Sequence, residues 1–165
     1  MIAFTDVHYD DTSALAACVV AEDWSDAEPR GSVTVRVAPI AAYEPGAFYK
    51  RELPCLRAVL EASPKVTHVL IDGDVWIDTA GTPGLGAHLH AALGGTTPVI
   101  GLAKTAFRGS EMALRLARPG SSKPLFVTSI GLEPEAALAL VTRLHGEHRI
   151  PTLLKRVDQL SRSRG

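Results

Sequence analysis

Two apolar, β-rich runs separated by four polar turn formers open the chain. Met1 to Tyr9 and Ala14 to Ala21 flank Asp10-Asp11-Thr12-Ser13. Short Asp and Ser side chains satisfy neighbouring backbone groups in tight turns, so this spacing predicts a β-hairpin with a polar tip. An acidic loop from Asp23 to Gly31 follows, and then Val33-Thr34-Val35-Arg36-Val37 alternates with a period of two. That alternation predicts a third strand, which makes three consecutive antiparallel strands.

The pattern changes after Pro45-Gly46. Leu53, Leu56, Val59 and Leu60 recur at helical spacing and predict a helix to about Ala62, with Pro54 near its start. Thr67 to Asp72 and Pro98 to Ala103 are short apolar runs on either side of the helix-like stretch Leu85 to Leu93. Strand, helix, strand implies a parallel unit. Leu125 to Ser129 reads as a last strand. Glu133-Pro134-Glu135 opens an Ala/Leu-rich helix whose acidic first turn suits the helix dipole, and the tail from Pro151 is amphipathic.

At 165 residues there is room for one α/β domain, taken as residues 1–165. With 17 basic and 18 acidic residues the net charge is silent about partners, since local clusters matter more than the total. No run of about eighteen apolar residues exists and no basic, apolar leader precedes Ile2, so a cytoplasmic protein away from membranes is expected. Cys18 and Cys55 lie in apolar surroundings without metal-binding spacing and are expected as two buried thiols.

Three carboxylates stand where chemistry is expected: Asp6 in the first strand, Glu52 on the first helix and Asp72 ending an apolar strand. A charge finishing a buried run needs a partner or a metal, because burying it alone costs several kcal/mol. The carboxyl ends of parallel strands are also where open α/β sheets bind ligands. Oxygen donors without Cys or His suit Mg²⁺ or Mn²⁺. Equally, Asp6 and Asp72 merely cap strands, and Glu52 pairs with Lys50 or Arg51 on a solvated helix.

The residues also carry a resemblance. Phe4-Thr5-Asp6-Val7-His8-Tyr9, the stretch Tyr43 to Pro54, Val69-Leu70-Ile71-Asp72-Gly73 and Pro98 to Lys104 resemble, in that order, four blocks of the endonuclease V family. The family is ribonuclease-H-like, an antiparallel three-stranded meander followed by parallel strands and flanked by helices. The predicted element order agrees with this, although other α/β folds share that order. The resemblance implies a metal-dependent endonuclease acting near inosine in DNA or RNA, with Mg²⁺ or Mn²⁺ held by Asp6, Asp72 and Glu52. Lys104 would lie beside the phosphate. Tyr43, Pro45 and Gly46 stand in the positions of a wedge that enters the duplex. Phe48, Gly73 and Gly84 match positions lining a pocket for the extruded base, read by main-chain groups. A monomer acting on inosine-containing or irregular nucleic acid is the expected assembly.

Departures from the family pattern are specific. Where relatives follow Asp-Gly with His-Gly and later His-Pro, this chain has Asp74-Val75-Trp76-Ile77-Asp78-Thr79, a pocket wall expected to carry two added carboxylates. Gly131-Leu132-Glu133 replaces a Gly-His-Arg turn, and Glu133 either substitutes as an acidic group or only opens a helix. These losses favour the alternative of a catalytically impaired binding module or a nuclease of altered specificity. His88 either belongs to the site or packs. Trp76 either lines the pocket or shields the sheet end. Lys155, Arg156, Arg162 and Arg164 either follow a phosphate backbone or form an ordinary basic terminus.

Overall fold

A computed structural model describes residues 1–106 and 113–163. The hairpin forms as its sequence demands. β1 (Ile2–Tyr9) pairs antiparallel with β2 (Ala14–Ala21). At the tip, Asp10 Oδ1 accepts from the Thr12 and Ser13 backbone N–H groups at 2.9 and 2.7 Å. β3 (Gly31–Val37) adds to the far side of β2, and its half-buried valines alternate with exposed Ser32, Thr34 and Arg36, as an edge strand requires.

The helix α1 (Tyr49–Glu61) then leads into β4 (His68–Asp72), α2 (Leu85–Ala92) and β5 (Val99–Ala103). β4 runs parallel to both β1 and β5, so the predicted parallel unit is present. After β5 the sheet changes sense. β7 (Leu125–Ile130) is antiparallel to β5, and a three-residue strand too short to read from the sequence, β6 (Leu114–Leu116), closes the edge beside it. α3 (Pro134–Thr142) and α4 (Thr152–Ser161) complete the order, and the sheet reads β3-β2-β1-β4-β5-β7-β6. This is the mixed sheet expected, with the addition of an antiparallel pair at one edge.

Alternation along the strands divides the core in two. Ile2, Phe4, Val19, Leu70, Ile100 and Leu102 face α3 and α4 and pack with Ala137, Val141, Leu153 and Val157. Ala3, Cys18, Val20, Val69, Ile71 and Val99 face α1 and α2 and pack with Cys55, Leu56, Val59 and Leu89. Both cysteines are buried and unbridged. β2 is buried along its whole length, and its alanines keep the covering helices close. No helix among the described residues is long and apolar enough to cross a membrane.

One buried cation fixes the link between the last two helices. Arg118 is 7% exposed and donates to the carbonyls of Leu144 (3.0 Å), Gly146 (3.2 Å), His148 (3.2 Å) and Arg149 (3.3 Å). Its forked donors satisfy the buried Leu144 carbonyl and three partly buried carbonyls of the α3–α4 connection. Arg118→Met keeps most of the volume and removes every donor. It is expected to lower the unfolding free energy by at least about 2 kcal/mol in urea titration, because buried acceptors lose charge-assisted partners.

Candidate active site

The register of two parallel strands brings the first pair of carboxylates together. Ile2, Ala3 and Phe4 lie beside His68, Val69 and Leu70. Two residues further along each strand stand Asp6 and Asp72, on the side chain period of Phe4 and Leu70 and so on the α4 side of the sheet. Thr5 Oγ1 donates to the Leu70 carbonyl at 2.8 Å where the pairing ends. Beyond that point the strands bound a cleft of about 380 Å³, lined among others by Asp6, Asp72, Lys104, Arg149, Lys155 and Asp158.

Glu52, from the first turns of α1, is buried at 8% exposure and forms no ion pair among the described residues. The pairing with Lys50 or Arg51 is not made: Lys50 instead bonds Glu44 at 3.1 Å, and the Arg51 guanidinium lies 4.2 Å from the centre of the Tyr9 ring. Glu52 Oε2 is buried without a hydrogen-bond partner.

Burial and mutual repulsion push these acids up. Glu52 is pushed to about 8, by burial first and then by the charges of Asp6 and Asp72. Asp6 reaches about 6 through burial and the charges of Asp72 and Asp158, although the Ser161 hydroxyl donates to its Oδ2 at 2.8 Å and works the other way. Asp72 is raised by burial and by Asp158, against the opposing charge of Lys104. The acids therefore feel one another across a shared corner. Among the described residues no group of three or more His, Cys, Asp or Glu side chains closes into a set that could hold a metal ion. The corner is an acidic wall rather than a finished ligand cage. Its donor set of carboxylate oxygens, with one oxygen of Glu52 lacking any donor, suits a hard divalent cation.

A second cavity, of about 540 Å³, adjoins the first and shares Asp72 and Lys104 with it. Tyr43, Gly46, Phe48, Gly73 and Gly84 all line it, so five of the six residues expected at the base pocket or wedge meet there. Pro45 does not line it; it forms the turn behind, in which the Ala47 N–H donates to the Glu44 carbonyl at 3.0 Å and Gly46 takes φ +78°. Tyr43 and Phe48 remain 63% and 47% exposed at the rim. Gly84 lies against backbone so closely that a Cβ there would sit 2.7 Å from the Asp74 carbonyl oxygen.

The loop after β4 is built differently from the expectation. Of its two added carboxylates, only Asp74 lines the cavity. Asp78 folds onto its own turn, where Oδ1 accepts from the Ala80 and Thr82 N–H groups at 3.0 Å. Trp76 donates from Nε1 to the Ser129 carbonyl at 3.0 Å and packs on the core, so it shields the sheet end. His88 stacks on Tyr49, with ring centres 3.7 Å apart. Glu133 is the exposed N-cap of α3 and lines neither cavity. The fourth acid at the corner is Asp158 of α4, which sequence reasoning missed, together with Ser161. Asp158 gave no signal beyond its place in an amphipathic helix, and Ser161, following Leu153 and Val157 at helical spacing, stands on that helix's buried side. Of the basic tail, Lys155 reaches the cleft, whereas Arg156 pairs with Glu28 at 3.6 Å and Arg162 with Asp158 at 3.0 Å. Arg164 lies outside the described residues.

A model of the endonuclease V family matches residues 1–132. The chain belongs to the endonuclease V family. Endonuclease V of Ciona intestinalis, solved as a variant with a 23mer DNA containing an inosine followed by a ribo-adenosine, is 19% identical, with a TM-score of 0.79 over 98% of this chain and 83% of that one. The Streptomyces avermitilis enzyme is 24% identical, with a TM-score of 0.75 over 98% and 79%. Human endonuclease V is 21% identical, with a TM-score of 0.77 over 98% and 82%. No curated protein sequence matches the chain. The shared fold is the ribonuclease-H-like one.

The buried acids make metal-free stability depend on pH. Glu52 is raised from 4.5 to about 8 in the folded protein. Its contribution is full below pH 4.5 and is lost as pH rises through about 8, because the folded state disfavours the ionised form. Asp6, raised from 3.8 to about 6, acts with the same sign over a lower range. In chelator, Glu52→Gln should raise the melting temperature by at least about 2 °C at pH 8 to 9, with the gain vanishing near pH 4. Calorimetry across that range checks both the size and the direction.

Proposed function

We propose that the protein is a metal-dependent endonuclease that hydrolyses a phosphodiester near inosine in DNA or RNA. The adjacency of the two cavities carries this reading. A nucleotide whose base is turned into the larger cavity presents its backbone to the carboxylate cleft, because Asp72 and Lys104 form the wall between them. Membership of the endonuclease V family supports the same reaction class.

Mg²⁺ or Mn²⁺ is the cofactor this oxygen donor set suits, with Asp6, Asp72 and Glu52 to hold it; when bound, it polarises the phosphodiester and lowers the pKa of the attacking water. The chain's own groups do the rest. The Ser161 hydroxyl holds Asp6 in place. Lys104, whose charge already acts on Asp72, takes up negative charge developing on the phosphate. The exposed rings of Tyr43 and Phe48 replace stacking lost when a base leaves the helix, and the Pro45-Gly46 turn holds that rim stiff. Gly73 and Gly84 bring main chain to the cavity wall.

The open corner and the added charge of Asp74 favour a second reading, in which the chain binds nucleic acid without cutting it. Matched oligonucleotides with inosine or adenine at one position separate the two. In Mg²⁺ or Mn²⁺ the nuclease nicks near inosine and is silent in chelator. Asp72→Ala then loses more than about 100-fold, beyond the usual effect of an outer-shell change. Binding without nicking in either metal identifies the binding module.

Tyr43→Ala provides a separate check on the rim. It is expected to weaken oligonucleotide binding by about 5- to 100-fold, the range for one lost base–aromatic stack, and to leave metal dependence unchanged.

A further inference from the structure

One cation in the carboxylate cleft has donors that the fold leaves unused. Arg149 is half-buried and lines the cleft beside Lys104 and Lys155, which are exposed. Arg149 Nη2 donates to two main-chain carbonyls, that of Lys104 and that of Pro124 at 2.8 Å. Lys104 follows β5 and Pro124 precedes β7, so the guanidinium joins the ends of two paired strands. Its own carbonyl is held by Arg118 Nε at 3.3 Å. Both N–H groups of Nη2 are thereby used, and Nε is buried out of a ligand's reach. Nη1 differs: it makes no hydrogen bond among the described residues and is not buried. Arg149 forms no ion pair among those residues either, although Asp6, Asp72 and Asp158 line the same cleft.

Arg118 shows how an arginine with a purely structural task is used in this molecule: its Nε, Nη1 and Nη2 all donate to carbonyls. Arg149 needs one nitrogen to join β5 and β7 and keeps a second, with two N–H donors, free in the cleft. A guanidinium is planar and weakly hydrated, which suits it to phosphate oxygens. Its anchoring is already complete before a ligand arrives, whereas an exposed lysine must give up rotamer freedom to make the same contact. We propose that Arg149 is a phosphate-binding residue of the cleft, donating from Nη1 to a non-bridging oxygen of one backbone phosphodiester while Nη2 keeps its hold on β5 and β7. The inference rests on the reading above, in which nucleic-acid backbone enters the cleft, and adds a rigid grip on a single linkage. Because the same guanidinium holds the Lys104 main chain, that linkage is kept in register with the wall between the two cavities.

A neutral linkage removes the charge that Arg149 would meet. The probes are short single strands with one inosine, each carrying one methylphosphonate in place of a phosphodiester, scanned across the linkages on both sides of the inosine. Fluorescence anisotropy in Ca²⁺ gives the affinity of each relative to the strand with every phosphodiester intact. In the wild type one linkage should show a ratio of at least about 10, the value of a hydrogen bond to a charged group. In Arg149→Met, which has no donors, that ratio should fall to about one, while linkages held by Lys155 or the cation keep theirs. A purely structural role weakens every probe by the same factor and leaves all the ratios unchanged. Arg149→Gln, whose amide can still donate to one of the two carbonyls, should give the same pattern and guards against misfolding of the methionine variant. Lys104→Gln should leave the Arg149-dependent ratio in place; its loss there as well would mean that Arg149 acts only through the lysine, and overturns the inference. A flat wild-type profile, or one unchanged in both Arg149 variants, overturns it too and leaves the nuclease reading intact. Failure of the wild type to bind any probe overturns both.

Discussion

The parallel pairing of β1 with β4 is the constraint on which the site depends. Its register sets Asp6 and Asp72 level at the point where the strands part, with Asp158 and Ser161 facing them from α4 and Glu52 entering from α1. A slip of one residue would turn either aspartate to the opposite face of the sheet. The hydrophobic alternation that fills both faces of the core forbids such a slip, because Phe4 and Leu70 would leave one cluster as the aspartates left the cleft. The acids are thus held against their own repulsion by packing, and their raised proton affinities record that opposition. In the proposed reading a divalent cation would relieve the same repulsion and so link metal binding to stability through one set of groups.

Close backbone approach builds the neighbouring cavity. The loop after β4 is anchored by the Val75 N–H on Thr128 Oγ1 at 2.9 Å and by the Trp76 indole on Ser129, both on β7. Gly84 and Gly101 leave no room for a side chain beside Asp74, so the loop lies directly on the sheet end. The antiparallel strand β7 therefore does more than extend the sheet. It supplies the platform that carries Asp74 and Gly73 to the cavity wall, while Arg118 ties down the α3–α4 connection on the other side of the cleft.

Much of the fold was legible because local patterns and tertiary placement agree. The Asp10 turn, the valine alternation of β3, and the helix start at Pro134 each have a short-range cause. Three residues of β6 carry no such signal, and the sense of β7 follows from its neighbours rather than its own composition. At the site, Asp72 was legible as a charge ending an apolar run, and Tyr43, Gly46, Phe48, Gly73 and Gly84 through family-like blocks. Asp78 was misread as pocket wall because an aspartate that caps its own turn and one that lines a cavity look alike in sequence.

The sequence by itself determined the order of strands and helices, the two-sided burial of the central strands, and which oxygen-bearing residues the chain has to offer a cation or a base. Periodicity and turn chemistry act over a few residues, and those properties are written at that range. Only the tertiary structure decided that Asp158, rather than Glu133, is the fourth acid at the corner, that Glu52 is buried without a basic partner, and that Asp74 alone of the two loop carboxylates meets the cavity. Each of these depends on which groups distant segments place within reach, and burial and Coulomb interaction act through space rather than along the chain.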